Sequence, residues 1–326
     1  MENANILKNE LWNLLVADIK DDLENFPHIR PLLAHYTSME VFEKIVKNEE
    51  VWFSNPLFMN DVQEIRFGVT EGSKIFKANQ AIKDACATTP RYMLLVESFD
   101  RYFYEFSNKH AFDVYAFCLS KHDTDDVEDG RLSLWRGYGG NGKGVAIVFD
   151  LAKIDFLAGS PFVISRVHYN SMAESQEWLN RRMDDVAKFI QDKNIHDDML
   201  DMIASILFER IKLAALFTKH HGFREEKEWR IVYLKERDYE NKYMSTFGHI
   251  ITNRGVEPKL QYKVKPIAGL TADDLSLAKV VNQIILGPMA SDLLARESVL
   301  RLLDNLEKPE LKDKVTCSSI PYRHTN

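Results

Sequence analysis

Gly137-Tyr138-Gly139-Gly140-Asn141-Gly142-Lys143-Gly144-Val145-Ala146-Ile147-Val148-Phe149-Asp150 is the stretch that decides the fold class. Its first seven residues come close to a phosphate-binding loop, Gly-x-x-x-x-Gly-Lys, which needs a Ser or Thr next and a helix opening behind it. Here Gly144 follows Lys143, and the apolar, β-branched run from Val145 to Phe149 predicts a buried strand. The context speaks against a nucleotide triphosphatase and predicts a glycine connection between a helical turn and a strand.

Working outward, 32–36 predicts a strand, with Ser38 as N-cap of a helix carrying Val41, Phe42, Ile45 and Val46. A strand over 51–54 stops at Asn55-Pro56, and a helix follows from about 62. Strand parity puts Trp52 and Ser54 on one side, Val51 and Phe53 on the other. Residues 73–108 read as helical with a break near 89–90, and further strands are expected at 114–119, 162–169, 228–233, 262–266, 283–287 and 315–319. Helices are expected over 7–25, 172–193 and 196–220. Helices come in blocks between strands, which predicts an α+β fold with an antiparallel or mixed sheet. No Pro-, Gly- or Ser-rich linker divides the chain, so one elaborated domain is expected over 1–326. It has an N-terminal helix region at 1–30, a core at 31–326, and helical insertions near 62–108 and 172–220.

Composition narrows the function classes. Of 326 residues, 42 are Lys or Arg and 49 Asp or Glu, a net charge of -7, the opposite of what a protein gripping phosphate backbones carries; nucleic acid is not indicated as a partner. Three cysteines without C-x-x-C spacing offer neither a disulfide framework nor a zinc site. The most apolar stretch, 199–217, is interrupted by Asp201, Glu209, Arg210 and Lys212, so no membrane span is expected, and 1–15 lacks the pattern of a signal peptide. A cytoplasmic location is the expectation. No metal site is expected: adjacent His220 and His221 diverge and are assigned to a helix C-terminus, and the acidic loop at Asp123, Asp125 and Asp126 lacks the spacing of a calcium loop.

The stretch Glu225-Glu226-Lys227-Glu228-Trp229-Arg230-Ile231-Val232-Tyr233 carries the densest chemistry. Alternation puts Trp229, Ile231 and Tyr233 on one face and aims Glu226, Glu228 and Arg230 into one space on the other. The plain alternative is a solvated strand face with charges paired across it.

Five segments in order resemble a large bacterial family of proteins of unknown function: Leu33-Ala34-His35-Tyr36-Thr37-Ser38; Val51-Trp52-Phe53-Ser54-Asn55-Pro56 through Asn60-Asp61; Ser133 to Gly139; Gly142 to Asp150; and Glu226 to Tyr233. That family is marked by H-Y-T, F-S-x-P…N-D and K-x-E-W-R motifs, and it looks like a distant branch of the ADP-ribosyltransferase superfamily. The resemblance implies a split mixed sheet with helical insertions and NAD-dependent ADP-ribosyl transfer, with NAD hydrolysis as a side reaction and an unknown acceptor. It implies that His35 and Thr37, with Tyr36 between them, hold the adenosine ribose of NAD, and that Phe53-Ser54 flank the nicotinamide. One of Phe58, Trp135 or Tyr138 would stack on the nicotinamide, Glu228 would be the catalytic carboxylate, and Glu226 would complete the E-x-E form. A carboxylate on the ribose 2′-hydroxyl stabilises the oxocarbenium character that develops as the nicotinamide leaves. Two alternatives stay open: a non-catalytic protein that senses a nucleotide or binds a partner through the same cleft, and a metal-dependent nuclease using Glu225-x-Lys227. His35, Thr37, Ser54 and Glu228 are expected to line one cleft.

Overall fold

The computed structural model describes residues 2–19, 30–59, 62–123, 126, 128–154, 160–253 and 255–322. The Asn60-Asp61 motif and the predicted helix beyond residue 19 lie outside them. The strands are β1 (Leu32–Thr37), β2 (Glu50–Ser54), β3 (Val114–Lys121), β4 (Val145–Asp150), β5 (Phe162–Arg166), β6 (His168–Asn170), β7 (Thr218–His220), β8 (Glu228–Leu234), β9 (Phe247–Thr252), β10 (Gly255–Lys263), β11 (Val281–Leu286) and β12 (Val315–Cys317). The fold is mixed α+β. Contacts group the chain into two compact units. One is Met1–Asn25, Pro56–Val114 and Val167–Phe223; the other is Phe26–Asn55, Tyr115–Arg166 and Arg224–Asn326. Both regions read as helical insertions fall in the first unit.

The helical unit is built from the helices Glu2–Leu15, Val62–Ala78, Gln80–Ala85, Thr89–Asn108, Met172–Asp192 and Leu200–Leu216. Ser171 and Glu174 form a capping box that starts Met172–Asp192 and satisfies two backbone N–H groups that a helix start leaves over. Aromatic rings meet in its core, Phe76 stacked on Phe99 at 4.3 Å and Phe208 edge-on to Phe99 at 5.7 Å. Arg210, one of the charges that interrupt the apolar stretch, is buried. Its Nε donates to the Leu15 carbonyl at 3.0 Å, its Nη2 reaches both Asp18 oxygens at 3.0 Å, and its guanidinium lies 4.4 Å from the Trp178 ring.

Two expectations change here. Residues 162–169 are not one strand: the chain breaks at Val167, and β6 pairs in parallel with β7 inside the helical unit, while the His168 N–H donates to the Phe217 carbonyl at 2.8 Å. His220 and His221 do not close a helix, because Leu200–Leu216 ends before them and His220 is the last residue of β7.

The sheet unit holds a ten-stranded sheet among the described residues, in the order β12-β11-β4-β1-β3-β2-β10-β9, with β8 pairing both β3 and β5. Its neighbours run antiparallel except β11 and β12 in the pairings described. Ser38 caps the helix Met39–Asn48 by accepting the Val41 N–H at 3.3 Å, and Phe42, Ile45 and Val46 press that helix onto one sheet face. That core face also carries Leu33, Phe117, Ile147 and Tyr233, and a smaller core of Ala34, Tyr36, Leu134, Trp135, Ala146, Val148 and Ile285 covers part of the reverse face. The glycine connection runs from the short helix Leu132–Gly137 into β4, a strand, as its sequence indicates. A Cβ on Gly144 would lie 2.1 Å from the Thr37 carbonyl and one on Gly139 would lie 2.5 Å from the Trp135 ring, so these glycines serve close packing.

Asp18 supplies a test of the helical unit. Burial opposes its ionisation, but the Arg210 charge and hydrogen bonds from Trp178 and Arg210 outweigh it and hold the carboxyl below its ordinary value. The stabilisation is complete above the unfolded pKa of about 3.9 and is lost as pH falls through the lower folded value. Asp18→Asn is expected to cost on the order of 1–3 kcal/mol near neutral pH. In urea titrations the gap to wild type should close on acidification, and a gap independent of pH would show that the charge of Asp18 is not what Arg210 requires.

Candidate functional site

Because side chains alternate along a strand and directly opposed residues share a face, the registers assign each predicted site residue to one side of the sheet. His35 stands opposite Ile147 and Thr37 opposite Val145, both members of the large core. Phe53, opposite Leu260, is in that core as well. These three belong to the core face. On β8 the core face is taken by Trp229, Ile231 and Tyr233, which leaves Glu228 and Arg230 on the reverse face. Ser54, which alternates with Phe53, lies on the reverse face, as does Tyr36 in the smaller core. The expected cleft of His35, Thr37, Ser54 and Glu228 is therefore corrected: the sheet divides them, with His35 and Thr37 on one side and Ser54 and Glu228 on the other.

On the core face, the half-buried His35 lies with its ring 4.7 Å from Phe117 and its Nδ1 3.1 Å from the Cys118 carbonyl. A carbonyl only accepts, so Nδ1 carries the proton and Nε2 is the acceptor. Burial lowers the imidazole pKa and outweighs the carbonyl's opposing effect, which keeps the ring neutral at pH 7. Thr37 is buried at the end of β1. The same face is hollow: a cavity of about 160 Å³ opens among Phe53, Phe117, Phe149, Phe162, Ile231 and Tyr262.

On the reverse face, Tyr36 is buried in the smaller core. Its ring meets Trp135 edge-on at 4.8 Å, its hydroxyl accepts the Arg131 N–H at 3.0 Å, and burial, reinforced by the Asp126 charge, pushes its pKa up to about 12. Trp135 is fully buried with Nε1 donating to the Asp129 carbonyl at 2.8 Å, so it has no face to offer a nicotinamide. Lys259 donates to the Ser54 hydroxyl at 2.8 Å. Phe58 ends the turn Pro56–Phe58, which belongs to the helical unit.

Glu228 is 6% exposed and held by Arg230, with Nε to Oε1 at 2.7 Å and Nη2 to Oε2 at 3.2 Å. The strand face read as solvated is thus buried, and the Glu228–Arg230 pairing runs along the strand, between residues two apart. Glu226 does not continue the strand. Lys227 adopts a left-handed conformation, φ 42°, which ends the alternation, and Glu226 closes the turn His221–Glu226. Its carboxylate accepts from the Tyr138 hydroxyl at 2.9 Å, and Tyr138 is 48% exposed. The geometry therefore offers one locked carboxylate, Glu228, and one at the surface, Glu226.

A charged cluster that the sequence did not single out adjoins this turn. Arg131 bridges Asp123 and Asp126, and Lys121 and Lys227 both reach Asp123. Burial works against the Asp123 charge, but hydrogen bonds and charges from Lys121 and Lys227 hold its pKa down at about 2. Only the grouping of Asp123 and Asp126 was visible beforehand; Arg131 lies a few residues beyond that loop, and Lys227, about a hundred residues away, joins it only through the fold. Among the described residues no group of His, Cys, Asp and Glu has the arrangement to hold a metal ion, and no helix is long and apolar enough to cross a membrane.

Residues 134–231 are similar to a family described as a protein of unknown function, DUF2971. The match covers less than a third of the chain; it includes Trp135, Tyr138, Glu226, Glu228 and Arg230 and leaves out His35, Thr37 and Ser54. No curated protein and no solved structure matches the chain.

Arg230→Met would leave the Glu228 carboxylate buried without its guanidinium, an arrangement that costs about 3–5 kcal/mol. The double variant Glu228→Leu with Arg230→Met should recover most of that stability in urea unfolding, because it also removes the buried carboxylate that lost its guanidinium. A double variant no more stable than Arg230→Met would mean that the cost lies in packing instead of charge.

Proposed function

We propose that the chain is a non-catalytic binding protein of a small molecule. The observation that supports this reading most directly is the Glu228–Arg230 pair on the reverse face of the sheet, with His35 and Thr37 on the core face. A carboxylate that stabilises a developing oxocarbenium must bring its lone pairs to the ribose hydroxyl. Both Glu228 oxygens instead meet the guanidinium two residues away, and the ribose-holding pair implied by the resemblance belongs to the opposite face. A fold keeps a hollow and its strands without keeping chemistry, so binding needs less from these residues than NAD turnover does.

A second reading, ADP-ribosyl transfer from NAD to an unknown acceptor, is favoured by one observation: Glu226 is a partly exposed carboxylate oriented by a phenol hydroxyl at 2.9 Å, at the end of the turn that precedes β8 and Glu228. In that reading Glu226 stands at the reacting ribose or the acceptor, Tyr138 offers its exposed ring, and Glu228 serves the fold.

Labelled NAD incubated with the full chain and a cell lysate separates the two. The binding reading expects no nicotinamide release above a lysate control. Release that falls about 10²–10³-fold in Glu226→Gln, at unchanged thermal stability, would replace it with the transferase reading.

A further inference from the structure

The cavity on the core face has room for a single substituted ring. Its volume, about 160 Å³, sits near that of an engineered apolar cavity of about 150 Å³ known to stay dry and take up benzene, and below the roughly 300–1,000 Å³ of ordinary drug-sized pockets. The wall is aromatic. Phe53 lies 5.5 Å from Phe117 and 5.6 Å from Phe162, and Phe162 meets Tyr262 edge-on at 5.5 Å. Such a wall presents ring edges and faces together, the arrangement that receives another ring in offset or edge-to-face contact.

The polar side chains around it differ in what they have left to offer. The Tyr243 hydroxyl donates to the Leu270 carbonyl at 3.1 Å, the Thr271 hydroxyl donates to the Lys265 carbonyl at 2.6 Å, and the Ser160 hydroxyl accepts the Phe162 N–H at 3.3 Å. Lys242, exposed at the rim, pairs with Glu240 at 2.9 Å. Tyr262 lines the cavity and its hydroxyl makes no hydrogen bond among the described residues. Its surroundings are apolar enough that burial raises its pKa, so at neutral pH it is a phenol with a proton to donate.

We propose that this cavity binds a compact aromatic molecule carrying one hydrogen-bonding substituent, with the ring among Phe53, Phe117, Phe149, Phe162 and Ile231 and the substituent on the Tyr262 hydroxyl. The proposal rests on the binding-protein reading and names the site and ligand class for it. The ring supplies affinity by removing apolar surface from water, and Tyr262 supplies selectivity, because a hydroxyl or carbonyl on the ligand uses a donor that otherwise has no partner in the wall. Nothing polar in the wall other than Tyr262 needs to change partner when the ligand enters.

Benzyl alcohol and toluene, titrated calorimetrically into the full chain, serve as probes that share a ring and differ in the hydroxyl. Both should bind saturably, benzyl alcohol about three- to tenfold more tightly, the range of one net hydrogen bond. Tyr262→Phe keeps the ring and should abolish that preference while leaving toluene binding intact. Ala272→Phe, at a half-buried lining position, should weaken both probes at least tenfold. Absence of saturable binding by either probe, or a benzyl alcohol preference that survives Tyr262→Phe, overturns the proposal. Its failure is separable from failure of the binding reading. Nicotinamide release reports on the latter and does not involve Tyr262, so probes that bind a chain that also consumes NAD would sustain the cavity and remove only the non-catalytic reading.

Discussion

Strand β3 has three partners, and what the sheet unit can place where follows from that constraint. β1 pairs with it at Ser120 and Lys121, β2 pairs at Ala116, and β8 pairs with it as well. Since all are extended and share one pleat, alternation along β3 is imposed on its neighbours. Tyr115, Phe117 and Leu119 point to the large core, and so do Leu33 of β1, Phe53 of β2, and Trp229, Ile231 and Tyr233 of β8. Shifting any of these pairings by one residue would send rings to the reverse face and charges into the core. His35 follows the core-face parity of β1, and Glu228 is bound to the reverse-face parity of β8. The separation of the two is thus a consequence of the same registers that build the core.

The reverse face is charged and yet buried. Glu50, Glu228 and Glu257 are all buried there, each with a cation in reach: Lys263 for Glu50, Arg230 for Glu228 and Lys259 for Glu257. Two of these pairs join residues two apart on one strand, the closest spacing that puts both side chains on the same face. Removing carboxylates from water costs several kcal/mol each, and pairing offsets this only with good geometry. Only the Glu50–Lys263 pair, which joins β2 to β10, also specifies register, because a slip by one residue would move Lys263 away from Glu50.

How much of this was legible depends on the distance over which a signal acts. The strands β1, β2, β3 and β4 announce themselves through continuous apolar or aromatic runs, and Ser38 marks a helix start by local chemistry. β9 escaped because it is an edge strand: Ile251 is exposed, and its burial alternates weakly. Parity read from the sequence correctly kept Glu228 and Arg230 away from Trp229 and Ile231, since that relation is within one strand. The face shared by residues on different strands depends on register, which no single segment contains. His35 and Glu228 were joined by order along the chain alone. The left-handed Lys227 was equally hidden, because nothing in a lysine predicts φ 42°.

The hollow on the core face has a physical origin in the residues that surround it. Around it Phe53, Phe117, Phe162 and Tyr243 meet tilted or edge-on with ring centroids 5–6 Å apart. A hollow on this face leaves the rings that line it without packing partners on one side. A molecule that occupies the space in the folded state alone restores part of this deficit, so occupancy and stability of the sheet unit are coupled through one free energy. The aromatic wall also limits how the deficit is removed from within. A larger side chain at Val51 or Leu119 would have to displace rings fixed by contacts on several sides, and overpacking of that kind costs about 1–3 kcal/mol. The hollow therefore persists because the rings that frame it are held by the sheet registers, the same constraint that separates His35 from Glu228.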